Sequence, residues 1–430
     1  MNKRTYLIFF CIFLLNICSQ KIFSQQSIQL KLKNNSSKQA FFCAIKGEKL
    51  NVIALNKFDN DIVKFRFDRH LPVGIYKIYI SDSAFVDIII DKDTVIAIEA
   101  SYKSKIDSIK VIEGNDNKKY YQYINYKTNI QNKLIKAITL INQKKQKNSN
   151  SQSEERINFI KGYFAFDLQK YTEALISNDS SFFVSKVIKA MQIPNTNIYL
   201  LEHPDSNVYR NDPEFLLSHF FDNIDFSDSS FINTELYYRT IKYYIEKLVL
   251  PRNVIGFNYA NDFILNKAKS NYKVYCYIIE LLIDLYENTQ LEEVYVKLYT
   301  DYLLKNSKEI NQDKLNKITA RVNIINSLKI GTVAPEISGK DTLGKEIKLS
   351  DIKSNMVLLF IWTSYSKHAG ETIEQLSDLY KKFKDYGFKI ISVSLDTNEV
   401  PWKNVLNKLK PEWTNVINLQ GLNGSISKSY

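Results

Sequence analysis

The chain has 430 residues, a formal net charge of +12, 45% hydrophobic residues and 24% charged residues. This composition excludes a disordered polypeptide, and four cysteines are too few for a disulfide-rich scaffold. The length exceeds one ordinary hydrophobic core, so two or three domains are expected. The Lys-rich run at 144–147 is more typical of a solvated loop than of a nucleic-acid-binding surface.

Residues 1–24 are predicted to be a signal peptide. Lys3 and Arg4 precede an apolar run at 6–17 that is too short to span a bilayer as a stable helix. The mature chain is therefore expected to be exported to the periplasm or cell envelope, without a transmembrane segment. Lipidation of Cys18 is an alternative, although the Asn-Ile pair before it is unfavourable for that modification.

The sequence predicts neither a metal site nor a bound cofactor. Cys43 and Cys276 remain after the signal peptide, and we interpret both as small buried hydrophobic residues. A disulfide between them stays open as an alternative, with nothing in the sequence to support it. The four histidines show no ligand-like spacing, and the three aspartates at 222–228 are typical of helix caps.

Residues 25–112 are predicted to form an antiparallel β domain. Apolar residues alternate or cluster in five short stretches, at 28–32, 63–67, 75–80, 85–90 and 94–98. Short strands joined by polar turns are typical of a small sandwich or barrel.

Residues 113–328 are predicted to form a helical domain, because apolar residues now recur at steps of three and four. After a first helix from about 120 to 141, further helices are expected at 153–178, 182–191, 213–221, 231–249, 257–268, 271–287, 290–305 and 312–328. The tyrosine stripes on these helices indicate core packing.

Residues 329–430 alternate strand and helix, which predicts an α/β domain. Met356–Trp362 is a continuous apolar run and a candidate central parallel strand. An amphipathic helix is expected at 371–386, followed by a buried strand at 388–395.

Two segments of this region resemble the TlpA/AhpC-TSA family of thioredoxin-like proteins. The sequence at 331–336 is similar to the entry sequence of these domains, and Leu376 matches a family leucine. The stretch from Trp362 to Ala369 stands where the family carries Trp-Cys-x-x-Cys. Ser366 and Ala369 occupy the two cysteine positions, and Trp362, Tyr365 and His368 flank them.

The resemblance implies a multidomain α+β protein with a thioredoxin-like C-terminal domain. Residues 25–112 similarly resemble the β domain that precedes such domains in many exported bacterial proteins. The family continues past the position of Tyr430 with a cis-Pro loop, a hairpin and a last helix, so the domain at 329–430 is expected to be incomplete.

The residues at the motif contradict the chemistry that the family implies. There, the first cysteine sits at a helix N-terminus and attacks as a thiolate, and the second resolves the mixed disulfide. Ser366 is expected to keep a helix cap, but its hydroxyl stays protonated near neutral pH, and Ala369 carries no reactive group. Ser366 and His368 are also a poor hydrolytic pair, because no third orienting residue is identifiable.

The first hypothesis is therefore a redox-inactive, thioredoxin-like cell-envelope protein that acts by binding an envelope partner or client protein. The alternative is an active thiol-disulfide oxidoreductase, as the family implies. A third hypothesis is a decaying gene product without a stable C-terminal domain.

Overall fold

A computed structural model describes residues 26–103, 105–145, 152–203 and 214–430 of the chain. The predicted signal peptide and the lipidation alternative lie outside the described residues, as does the second half of the Lys-rich run. One compact unit ends at Val294, and a second covers Tyr295–Tyr430. The domain limits proposed at 112 and 328 stay predictions.

A β sandwich forms the first part of the chain. Its strands are β1 (Gln26–Lys33), β2 (Gln39–Lys46), β3 (Lys49–Lys57), β4 (Ile62–Phe67), β5 (Gly74–Ser81), β6 (Ala84–Ile90), β7 (Val95–Tyr102) and β8 (Ile106–Glu113). They build two four-stranded sheets with the orders β4-β1-β7-β8 and β3-β2-β5-β6. Ile28, Leu30 and Leu32 alternate into the core, and the rings of Phe42 and Phe65 from the two sheets lie 5.3 Å apart. The predicted β domain is confirmed as a sandwich.

One strand pairing corrects the purely antiparallel prediction. β1 and β7 run parallel, whereas the other neighbouring strands of both sheets are antiparallel. The turn at 91–94 carries the chain from β6 in one sheet to β7 in the other, so β7 arrives beside β1 in the same direction. Alternation of apolar residues reports the buried face of a strand and carries no information about its direction.

The predicted helical region is confirmed: each expected range overlaps an observed helix, although the short helix Thr196–Glu202 is not predicted. The helices are α1 (Asn115–Lys145), α2 (Gln152–Ile176), α3 (Phe183–Ala190), α4 (Thr196–Glu202), α5 (Phe215–His219), α6 (Leu236–Tyr243), α7 (Val254–Ala268), α8 (Tyr272–Tyr286), α9 (Glu292–Lys297) and α10 (Gln312–Ser327). α7, α8 and α10 start where an asparagine side chain accepts backbone N–H groups. Tyr237 and Tyr295 are buried as predicted, whereas Tyr243 is exposed.

The last part of the chain is a five-stranded sheet with helices. Its elements are β9 (Ser338–Lys340), β10 (Glu346–Lys348), β11 (Met356–Trp362), α11 (Ala369–Phe383), β12 (Phe388–Ser394), α12 (Glu399–Leu409), β13 (Thr414–Ile417) and α13 (Ser425–Ser429). The strand order is β10-β9-β13-β12-β11, and β11, β12 and β13 are parallel.

The position of β11 corrects a second prediction. β11 is the outer strand of the described sheet, not a central one, and pairs within the described residues with β12 alone. A continuous apolar run shows that both faces of a strand are covered, and this is correct for β11, whose side chains adjoin a core on each face. It does not show whether both backbone edges are paired.

The α/β sheet has a hydrophobic core on each face, and the loop at 363–368, called the motif loop below, follows its outer strand β11. Trp362, Ile373 and Trp402 pack together on one face, and Ile391 and Ile426 belong to the core on the other face. The loop at 363–368 therefore emerges at the carboxyl end of the parallel strands. Among the described residues, no helix is both long and apolar enough to cross a membrane.

Candidate active-site loop of the α/β domain

Trp362 fixes the start of the motif loop. It is the last residue of β11, and its carbonyl accepts a hydrogen bond from the Leu395 N–H at 2.8 Å. Its indole is buried and stacks on Phe360, with ring centroids 6.2 Å apart. Both contacts hold the last residue before the loop to the sheet and its core.

Two successive turns lead from the strand into α11. The Ser366 N–H donates to the Thr363 carbonyl, and the Ala369 N–H donates to the Ser366 carbonyl, both at 3.2 Å. The helix begins at Ala369, and its N-cap residue His368 makes no side-chain capping bond. The prediction that Ser366 caps the helix is therefore wrong, because the main-chain turns place Ser366 one turn before the helix.

The side chains of the motif divide into exposed and buried groups. Tyr365 is 70% exposed, Ser366 and His368 are also exposed, and the Ala369 methyl is buried. Within the described part of the chain, no hydrogen bond of the Ser366 hydroxyl is found. His368 Nδ1 lies 4.0 Å from the Glu371 carboxylate, and the described residues show no hydrogen bond between His368 and Ser366.

The sequence analysis missed Asp396, the residue that anchors this loop. Asp396 follows β12 and is only 4% exposed. Its carboxylate accepts hydrogen bonds from the Ser364 N–H at 3.0 Å and the Ser364 hydroxyl at 2.9 Å, and from the Ser394 hydroxyl at 2.6 Å. An aspartate directly after a buried parallel strand was the available signal, since such strand ends share one edge of the sheet.

Neither remaining cysteine belongs to this loop. Cys43 lies on β2 and Cys276 on α8, both in the first compact unit, and both are buried and not joined in a disulfide. Burial raises the pKa of the Cys43 thiol, which disfavours the thiolate needed for exchange. The loop itself offers a hydroxyl, an imidazole and an exposed phenol ring, groups suited to contact and hydrogen bonding.

The aspartates at 222–228 serve as local partners. Asp222 lies 2.7 Å from His219 Nδ1, and Asp228 accepts hydrogen bonds from Lys186 and from the Ser230 N–H. Burial alone would raise the pKa of Asp228, but these hydrogen bonds lower it. In the described ranges, no cluster of three or more His, Cys, Asp or Glu could hold a metal ion.

Comparison with known sequences agrees with the fold of this part. The AhpC/TSA family matches residues 330–428. Thiol-disulfide oxidoreductase ResA of Bacillus thuringiensis (strain Al Hakam) is 32% identical over 81 residues, which cover 19% of this chain and 47% of that protein. ResA of Bacillus subtilis (strain 168) is 30% identical over 80 residues, covering 19% of this chain and 45% of the relative. The chain thus spans about half the length of the curated relatives it matches.

Solved structures show similarity as well. A thioredoxin-like protein from Bacteroides caccae ATCC 43185 is 22% identical, with 51% of this chain and 80% of that chain covered and a TM-score of 0.38. The thioredoxin domain of a thiol-disulfide oxidoreductase from Bacteroides vulgatus is 34% identical, with 24% and 74% covered and a TM-score of 0.23. From the family match and the order of strands and helices, residues 330–428 form a thioredoxin-like domain of the AhpC/TSA family.

Proposed function

We propose that this protein is a thioredoxin-like cell-envelope protein that binds a partner protein through its motif loop without thiol–disulfide exchange. The observation that carries the proposal is the pair of residues at the former cysteine positions. Ser366 presents an exposed hydroxyl where the attacking sulfur would stand, and Ala369 presents a buried methyl where the resolving sulfur would stand. A hydroxyl of ordinary pKa does not exchange with disulfides.

The anchoring of the motif loop supports a role in binding a partner protein. Asp396 accepts three hydrogen bonds from Ser364 and Ser394, so the main chain before Tyr365 is held before any partner arrives. A pre-ordered loop loses less conformational entropy on association. Tyr365 projects a large ring with a polar tip into solvent, a side chain often found at the centre of protein interfaces.

Thiol-disulfide oxidoreductase activity is the second candidate, favoured by the names of the ResA relatives. It requires a reactive thiol, and the described residues offer only Cys43 and Cys276. Both are buried, and neither lies beside the motif in sequence. The activity would therefore need a thiolate that burial opposes.

Insulin reduction in the presence of dithiothreitol separates the two candidates. We expect insulin to be reduced at the same rate by dithiothreitol with the mature protein and by dithiothreitol alone. Cys43→Ala and Cys276→Ala variants should give the same rate. Turnover clearly above this background, abolished by either substitution, would contradict the binding proposal and establish the oxidoreductase.

The proposed envelope location rests on the basic-then-apolar pattern at 1–24. We expect residues 1–24, fused to alkaline phosphatase in place of its own signal, to give an active exported enzyme. The purified mature chain should begin at Gln25 by N-terminal sequencing. An intact Met1 on chains recovered only from the cytoplasm would exclude export.

A further inference from the structure

We propose that the helical part of the first compact unit binds an amphipathic organic anion, with a carboxylate head and an apolar body. Its site is a cavity of about 890 Å³ between α1, α2, α3, α4 and α5. This site is separate from the motif loop, and the proposal is independent of the function proposed for that loop.

The walls of the cavity suit an apolar ligand body. Most of their exposed surface is apolar and comes in part from the side chains of Leu168, Ile176, Met191, Ile193, Ile198 and Phe215. Concave, mostly apolar surfaces of this size with a few polar groups are typical of small-molecule sites. Ile198 and Phe215 are buried, whereas Ile193 is 63% exposed, which places Ile193 at the mouth.

Stacked rings form one wall. The Tyr199 ring lies 4.3 Å from the His203 ring and 5.2 Å from Phe215, and Phe215 stacks on His219 at 4.7 Å. The Nδ1 atom of each histidine is already engaged, by the Tyr199 carbonyl at 3.1 Å and by Asp222 at 2.7 Å. These contacts fix the rings in place, so the wall offers a pre-formed surface to a ligand.

The charged residues of the lining favour an anionic over a cationic head group of the ligand. Both lining carboxylates are already paired. Glu173 accepts hydrogen bonds from Lys170 at 2.9 Å and from Gln169 at 2.7 Å, and Asp222 pairs with His219. Because both carboxylates already have donors, they attract a cationic head group less strongly than carboxylates without partners would.

The two lysines of the lining differ from its carboxylates in lacking an ionic partner in the part of the chain that the structure describes. Neither Lys127 nor Lys189 has a carboxylate partner within the described residues. Burial lowers the pKa of Lys127, and the positive charge of Arg239 lowers it further. A carboxylate beside Lys127 would restore a counter-ion to this partly desolvated ammonium group, a stronger interaction than in bulk water.

Calorimetric titration of the mature protein with three twelve-carbon ligands tests the proposal. We expect dodecanoate to bind more tightly than dodecan-1-ol, and dodecyltrimethylammonium to bind more weakly than either. Lys127→Gln should weaken dodecanoate binding about tenfold and change dodecan-1-ol binding less than about twofold, because only the charged contact is removed.

Two further variants keep the test decisive. Lys136→Gln, an exposed lysine on the same helix, should leave both affinities unchanged. Ile193→Asp, at the exposed mouth, should weaken both ligands while the far-UV circular dichroism stays that of the unaltered protein. No binding of dodecanoate, or equal weakening of dodecanoate and dodecan-1-ol by Lys127→Gln, would overturn the proposal.

Discussion

The candidate sites of the thioredoxin-like domain and of the helical part of the first unit are built from the chain in different ways. In the thioredoxin-like domain, the site is a short continuous loop. Its sequence still resembles the family motif, although Ser366 and Ala369 stand at the two cysteine positions. In the helical part, the site is a cavity assembled from five helices, without a local motif. A short motif can persist after its chemistry is lost, whereas a lysine without a carboxylate partner among the described residues indicates a ligand only through the cavity around it.

The largest effect is expected from restoring the two sulfurs. The Ser366→Cys, Ala369→Cys double variant should reduce insulin at least about tenfold faster than the native protein, because it places an exposed attacking thiol three residues before a resolving one. The insulin assay measures this directly. Ser366→Cys alone should form mixed disulfides without turnover. A double variant that stays at background would show that the loop has lost more than its sulfurs.

The second largest effect is expected from removing the buried carboxylate of Asp396, which anchors the motif loop. Asp396→Ala removes the acceptor of the Ser364 and Ser394 hydrogen bonds and should lower the free energy of unfolding of this domain by about 2–4 kcal/mol. The three tryptophans, Trp362, Trp402 and Trp413, all pack in this domain, so their fluorescence during urea unfolding reports on it.

The control for this change is Asp385→Ala, an exposed aspartate in the same domain, which should change the unfolding midpoint little. Equal midpoints for the Asp396→Ala variant and the native protein would contradict an anchoring role.

A smaller and pH-dependent effect is expected in the first unit. Burial, reinforced by Asp93 and Asp91, raises the pKa of Asp116 from 3.8 to about 6. The folded state therefore holds this proton more tightly than the unfolded state. The stabilisation is fully present below about pH 4 and is lost as the pH rises through about 6. Asp116→Asn should stabilise the unit at pH 8 by about 1–2 kcal/mol.

Far-UV circular dichroism during urea unfolding measures this change, because the helices of the first unit dominate the signal. Exposed Asp82→Asn is the matched control and should have no comparable effect. A gain from Asp116→Asn that is as large at pH 4 as at pH 8 would rule out this carboxyl as its source.

Particular residues show how far sequence reasoning reached. The period of the apolar residues predicts a helix at 271–287, and the structure has it at Tyr272–Tyr286, capped by Asn271. The strand at Lys49–Lys57 was missed, because its apolar residues Leu50 and Val52 lie exposed on an outer strand and give no buried face. The sequence does not indicate the anchoring role of Asp396, because its partner Ser364 lies in a loop more than thirty residues away.

The sequence by itself determined the α+β composition, the approximate helix bounds, the thioredoxin-like ancestry and the absence of both motif cysteines. These properties depend on local periodicity and on residue identity at a few neighbouring positions. Only the tertiary structure decided the parallel pairing of β1 with β7, the outer place of β11, the anchoring of Ser364 by Asp396, and the cavity beside Lys127. Strand direction, edge pairing and cavity shape arise between segments distant in sequence, so no local pattern encodes them.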